Sequence, residues 1–159
     1  MSCITRHKFG LWNKGWLAIA LAVVLTFLFI SCGSVHEHVV TVARVIDGDT
    51  IEIEGGHRVR YIGIDTPEKE EPYYWEALEA NLKLVEGKEI WLEGDAEDRD
   101  QYGRLLRYVW VDNTMVNAEL VRLGYAYSLS YPPNVKYQRY FLQMEKEARV
   151  YKRGLWSGD

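Results

Sequence analysis

Residues 17–30 form an apolar run, preceded by Arg6, His7, Lys8 and Lys14, and no acidic residue occurs before Glu37. A positive stretch, a short apolar stretch and small residues after it have the pattern of a secretory signal. Beyond a short polar tether, residues 33–38, the spacing changes. Residues 39–46 are rich in β-branched side chains, and residues 50–54 alternate apolar and acidic with a period of two, which predicts two strands. Asp47-Gly48-Asp49 supplies the turn between them. Gly55-Gly56 turns the chain again, and residues 58–64 predict a third strand.

A helical period follows. Thr66-Pro67-Glu68 has the form of a helix entrance: a hydroxyl cap, then Pro, then an acid. Residues 72–86 predict a helix with Trp75, Leu78, Leu82 and Val85 on its inner face, stopped at Gly87. Residues 88–93 and 104–111 predict a fourth and a fifth strand, separated by an acidic loop. Thr114 is the expected cap of a second helix carrying Val116, Leu120 and Leu123 and ended by Gly124. A loop over 125–134 leads to a third helix over 135–151, after which Leu155 and Trp156 are expected in the core. Five strands, with one helix inserted and two following, predict a mainly β, α+β fold: a five-stranded barrel of the OB type with three helices. A signal or anchor helix precedes it. The expected division is a signal peptide or membrane anchor over 1–32, the tether over 33–38 and one domain over 39–159.

Cysteine usage supports that division. Cys3 and Cys32 are the only two, so the domain has neither a disulfide framework nor a cysteine-ligated zinc site. Phe29-Ile30-Ser31-Cys32-Gly33 resembles a bacterial lipobox, which would make Cys32 a lipidated N-terminus, although Phe29 stands where Leu is usual. An uncleaved anchor is the alternative. The strict apolar run is shorter than the ~20 residues that span a bilayer, but Trp16 and residues 31–35 can extend it. Either reading places the domain outside the cytoplasm, membrane-anchored or secreted.

Charge runs against the expectation for a nucleic-acid binder. After Cys32 there are 16 Lys and Arg against 23 Asp and Glu, a net of −7. The charge is unevenly spread: residues 68–98 hold eleven acids against Lys69, Lys83 and Lys88, whereas residues 136–153 hold six bases against Glu145 and Glu147. This balance excludes tight non-specific binding without excluding a site.

Three stretches concentrate unusual chemistry: Asp47-Gly48-Asp49-Thr50, the run from Arg58 to Glu68, and Asp100-Gln101-Tyr102-Gly103-Arg104. Singly, each has an ordinary explanation: a hairpin turn, a helix start, a turn entering a strand. Together they offer what phosphodiester hydrolysis needs. Asp49 and Asp65 are hard oxygen donors suited to calcium, if their strand ends lie side by side. A metal there would turn an acidic pocket into a phosphate site. Arg60 and Arg104 lie on different strands and can clamp a phosphate from two sides. Glu68 can align or deprotonate water.

The order Asp-Gly-Asp-Thr, Arg-x4-Asp-Thr-Pro-Glu and Asp-x-Tyr-Gly-Arg is similar to the signature of the staphylococcal nuclease (thermonuclease) family. The likeness continues through Met115-Val116-Asn117, Leu120 to Gly124, Pro133-Asn134 and Gly154-Leu155-Trp156, covering residues 39–156. The resemblance implies a calcium-dependent endonuclease cutting DNA and RNA to 3′-phosphate ends, preferring single-stranded or frayed substrate, and acting as a monomer. It implies calcium ligation by Asp49, Asp65 and the main-chain carbonyl of Thr66, with Asp47 acting from behind them. Arg60, Arg104 and Glu68 match the catalytic positions. Tyr102 and Tyr131 match nucleotide-facing tyrosines, but Gln101 replaces a Lys, and the second loop tyrosine is absent at Leu129 or Ser130. Two other readings compete: a non-catalytic OB module binding nucleic acid or protein, and a structural envelope lipoprotein. The intact set Asp49, Arg60, Asp65, Glu68 and Arg104 argues against the first, and the second has only the anchor and the acidity in its favour. His36 and His38 in the tether, His57 in a turn, and the Tyr73-Tyr74-Trp75 cluster read as incidental or packing residues. The basic last helix reads equally as a nucleic-acid face or a solvated one.

Overall fold

A computed structural model describes residues 38–158. The expected signal or anchor over 1–32 and the tether up to residue 37 lie outside the described residues.

Strands β1 (His38–Val45), β2 (Thr50–Ile53) and β3 (Arg58–Tyr61) form the predicted antiparallel meander. Gly55 and Gly56 join β2 to β3 at φ 90° and 77°, a turn that side chains with a Cβ adopt poorly. The third strand is shorter than predicted. Its expected end is interrupted at Ile62-Gly63, where Gly63 takes φ 78°, and the chain resumes as the two-residue β4 (Ile64–Asp65). Strand β1 changes register between Val42 and Arg44. Its first half pairs with β5 (Glu89–Glu93) and its second with β2, so one bulged strand serves both sides of the barrel. Strand β6 (Leu105–Val111) pairs antiparallel with β5 and then closes on β3 in parallel, Arg60 opposite Leu106. The five long strands thus form the expected closed barrel. Ile51, Ile53, Val59, Tyr61, Ile90, Leu92, Leu106 and Tyr108 point inward at alternate positions.

Helix α1 (Tyr74–Val85) is placed as predicted, but its inner face only in part. Val85 is buried as expected and Leu78 and Leu82 are half-buried, whereas Trp75 is 65% exposed and Ala77, Ala80 and Asn81 face the barrel beside Val85. The reason is the close approach of the β1–β2 loop. A Cβ on Gly48 would lie 2.9 Å from the Ala77 Cβ and 2.8 Å from that of Thr66, so only a small helix residue fits there. Thr114 does not cap the second helix. Asp112 (φ 51°) turns the chain so that Thr114–Met115 form β7, paired with β6, and α2 (Val116–Arg122) starts directly afterwards. Strand β8 (Tyr127–Ser128) pairs with β4. Helix α3 (Gln138–Val150) is shorter at its start than predicted and buries Phe141, Met144 and Ala148. The final turn, Gly154–Trp156, buries Trp156 as expected but leaves Leu155 only partly covered.

Candidate active site

The β1–β2 loop is closed by its own side chains. Asp47 accepts the N–H of Asp49 at 3.0 Å, and the carbonyl of Asp47 accepts the Asn81 side-chain amide of α1 at 2.9 Å. Asn81 in turn accepts the hydroxyl of Tyr61 at 2.9 Å. Burial pushes the Tyr61 hydroxyl up, so it remains a neutral donor.

Asp49 is 5% exposed, and its carboxylate is surrounded by donors. Thr66 gives it both N–H and Oγ at 2.9 Å, and Thr50 gives Oγ at 3.1 Å. The guanidinium of Arg60 binds Asp49 through Nε at 3.1 Å and Asp65 through Nη2 at 2.8 Å. Its Nη1 reaches the carbonyls of Tyr61 and Ile64 at 2.7 and 2.9 Å. Asp49 and Asp65 therefore meet at one arginine, the side-by-side placement the sequence left conditional. Arg60 faces Asp49 because its strand pairs with the one that follows Asp49, Arg60 opposite Thr50.

Asp47 and Asp65 are incompletely neutralised. Burial, with the neighbouring charge of Asp49, pushes the Asp47 carboxyl up. Burial also pushes Asp65 up against the pull of Arg60, and Asp49, Glu68 and Glu71 add to the rise. Hard oxygens with surplus negative charge fit a hard divalent cation. Among the described residues, no group of three or more His, Cys, Asp or Glu side chains is placed to hold a metal ion. An ion there would draw on two carboxylates and a main-chain carbonyl and would keep several waters.

Arg104 is held by a residue the sequence reading left without a role. Asp100 accepts the Arg104 Nε–H through Oδ2 at 2.6 Å, while its Oδ1 takes the backbone N–H groups of Tyr102 and Arg104 at 2.9 and 3.0 Å. Burial opposes ionisation of Asp100, but these bonds outweigh it and hold its carboxyl below the usual range. Among the described residues, the two terminal amino groups of Arg104 have no partner. The guanidinium lies 5.6 Å from the centre of the Tyr102 ring, which is 75% exposed. Arg60, Arg104, Gln101, Tyr102, Leu129 and Tyr131 line one cleft of about 170 Å³. Buried Asn134 accepts the Glu97 N–H at 2.7 Å and so ties the Tyr131 loop to the segment before Asp100.

The structure thus gathers Arg60, Arg104, Tyr102 and Tyr131 in one cleft, with Asp47, Asp49, Asp65 and Thr66 behind Arg60. Glu68 does not line that cleft. It is exposed, its N–H donates to Glu71 at 2.8 Å, and its charge reaches Asp65. Asn117, also passed over, accepts the Val109 N–H at 2.9 Å and donates to the Ile62 carbonyl at 3.0 Å, holding the turn that aims Asp65. Three basic residues in or flanking α3 have partners within the protein. Lys136 pairs with Glu93, Arg149 pairs with Glu145 and lies over Trp156, and Arg153 pairs with Glu147. These pairs take charge away from a nucleic-acid face.

A family model described as staphylococcal nuclease homologue matches residues 58–158. The thermonuclease of Staphylococcus intermedius is 40% identical over 162 residues, covering 91% of this chain and 96% of that protein. The thermonuclease of Staphylococcus hyicus is 33% identical over 159 residues, covering 89% and 94%. Endonuclease YncB of Bacillus subtilis (strain 168) is 43% identical over 129 residues, covering 74% and 61%.

Proposed function

The chain belongs to the staphylococcal nuclease family and is a hydrolytic nuclease, and on that premise we propose that it is a calcium-dependent endonuclease acting on DNA and RNA outside the cytoplasm. The observation that carries this reading is the single cleft shared by Arg60 and Arg104, with Arg60 held from behind by Asp49 and Asp65.

The unpartnered terminal amino groups of Arg104 form a fork that fits two oxygens of a phosphodiester. Arg60 stabilises the negative charge that grows on the phosphate oxygens as water attacks phosphorus. Glu68 orients that water or takes its proton, acting from beside Asp65 and not from within the cleft. The 5′ oxygen leaves and the phosphate stays on the 3′ side. Asp49, Asp65 and the Thr66 carbonyl, with Asp47 behind, would hold calcium, which would supply positive charge against the negative charge of the phosphate. Tyr102 and Tyr131 offer flat faces to unpaired bases, which favours single-stranded or frayed substrate. The protein works as a monomer, and residues 1–32 deliver it across the membrane or anchor it there.

The test is digestion of single-stranded DNA and RNA by the full-length chain in mild detergent, with calcium or with chelator, beside Arg60→Ala. Cutting should need calcium and fall on the order of 10³–10⁵ in the variant. A folded wild-type chain inert with calcium on both substrates would refute the reading. Products with 5′-phosphate ends would refute the mechanism.

A further inference from the structure

Tyr127 stands directly opposite Asp65 in the β4–β8 ribbon. Facing residues of an antiparallel pair carry their side chains on the same side, with Cβ atoms roughly 5 Å apart. The Tyr127 ring therefore stands next to the carboxylate that binds Arg60, and it lines a second hollow of about 420 Å³ with Asp65, Pro67, Glu71, Tyr73 and Leu155. Asp65 lines this hollow and not the Arg104 cleft, while Arg60 lines the cleft and not the hollow. The Arg60–Asp65 ion pair is thus the divide between two recesses.

Three features give the hollow the character of a platform. Tyr127 is 42% exposed and packs edge-on against Trp156, 5.4 Å between centroids at 88°. Trp156 is itself buried and covered by the Arg149 guanidinium at 3.5 Å, so the Tyr127 ring is backed by a fixed partner. Tyr73 holds φ 69°, a strained value for an aromatic residue, and its hydroxyl lies 2.6 Å from Ser157 Oγ. Backbone strain of this kind persists where the surroundings over-determine it and clusters at binding sites. The third feature is charge. Glu71 repels a phosphate but leaves room for a flat, uncharged group.

We propose that this hollow is a second nucleobase subsite, which takes the base on the far side of the scissile phosphate from the base in the Arg104 cleft and stacks it on Tyr127. The inference rests on the nuclease reading of the Arg60 cleft. A strand lying across the Arg60–Asp65 divide has one neighbouring base over each recess. Stacking on a tyrosine tolerates any base, so the subsite sets affinity and not sequence preference.

The experiment uses the full-length chain and short DNA oligonucleotides with a single ordinary phosphodiester, the others being methylphosphonates. An abasic residue is placed on one side of the cleavable bond or the other. In the wild type each abasic change should raise KM about tenfold, the effect of losing one stacked base. Tyr127→Leu keeps bulk against Trp156 and should show that rise on the intact substrate, with no further rise for the abasic residue on one side only. Tyr127→Phe should behave as wild type. An equal loss in Tyr127→Leu on every substrate, or no loss, overturns the subsite. A second readout is independent of cutting: in chelator, a thymidine dinucleotide should shift the Tyr127 ring resonances in the NMR spectrum. Unshifted resonances overturn the subsite even in a chain that cuts DNA. If calcium gives no cutting, the nuclease reading falls, and the same titration still decides the hollow.

Discussion

The Asp100 carboxylate grips Arg104 at the base of its guanidinium, Nε to Oδ2 at 2.6 Å, and leaves the terminal fork toward the cleft. The Asp100 side chain is 5% exposed, so this is a sheltered hold on a residue that must meet solvent and substrate. Asp100→Asn removes the charge and loosens the fork. Misplacement of a positioned group by about 1 Å can cost on the order of 10²-fold in rate. Steady-state kinetics on single-stranded DNA should show a loss of that order, chiefly in kcat. Combined with Arg104→Ala, the change should add less than about twofold, because the two residues act as one unit. Full additivity would mean that Asp100 acts on something other than Arg104.

The same residue sets an acid limit. Its folded carboxyl titrates below the unfolded value of about 3.9. The stability it confers is therefore complete above that value and is lost as pH falls through the folded one. Between about pH 5 and pH 2 the wild-type Tm should fall more steeply than that of Asp100→Asn. Parallel slopes would contradict the assignment.

Asp47 has the opposite sign. Burial and the charge of Asp49 raise it, so its contribution is present below about pH 3.9 and is lost as pH rises through the folded value. In chelator, the Tm of Asp47→Asn relative to wild type should climb as pH rises from about 4 to 6. Calcium should reverse the penalty, since its carboxylate ligands must be ionised to bind. Scanning calorimetry should find a larger calcium-induced rise in Tm at neutral pH than near pH 4.5. A Tm insensitive to calcium at neutral pH would remove the ion from Asp49 and Asp65.

The contact of Gly48 with α1 is testable without any assay of cutting. Gly48→Ala puts a methyl 2.9 Å from Ala77 Cβ and 2.8 Å from Thr66 Cβ, where neither neighbour is a flexible chain end. Overpacking of this kind destabilises by about 1–3 kcal/mol. Ala77→Gly alone loses about 1 kcal/mol of helix propensity but removes one of the two obstructing groups. In urea denaturation, the double variant should therefore be more stable than the sum of the single changes predicts. Simple additivity would show that the helix does not rest on Gly48.

The barrel was legible because the inward residues of its strands, such as Ile51 and Ile53 or Ile90 and Leu92, keep a period of two over enough positions to be counted. Two-residue strands such as Ile64–Asp65 and Tyr127–Ser128 have no period, so the ribbon that sets Tyr127 beside Asp65 was invisible. The inner face of α1 was misread through Trp75. Apolar surface alone favours burying it, and the decision lay with a glycine 27 positions earlier, outside any helical window. Asp49, Arg60, Asp65 and Arg104 stood out as charged groups in fixed spacings, and the structure brings them together. Asp100 and Asn117 stood within quoted motifs but had no role, and Asn81 did not stand out, since a polar residue that is buried and bonded looks like a surface residue until its partners are known. Glu68 is exposed just past the turn at Thr66-Pro67 and does not line the Arg104 cleft, a placement that spacing along the chain does not specify.

The parallel pairing of β3 with β6 has a consequence for how this protein can fail. Arg60 sits on one side of that seam and Arg104 just ahead of the other, and only the final closure of the barrel brings them together. A chain with its meander and helices formed but the seam unzipped would hold half a phosphate grip on each edge. Such a chain should be inert, not merely slow. Residual nuclease activity during denaturation would then count closed molecules one by one, so that the enzyme reports its own folded population without a separate probe.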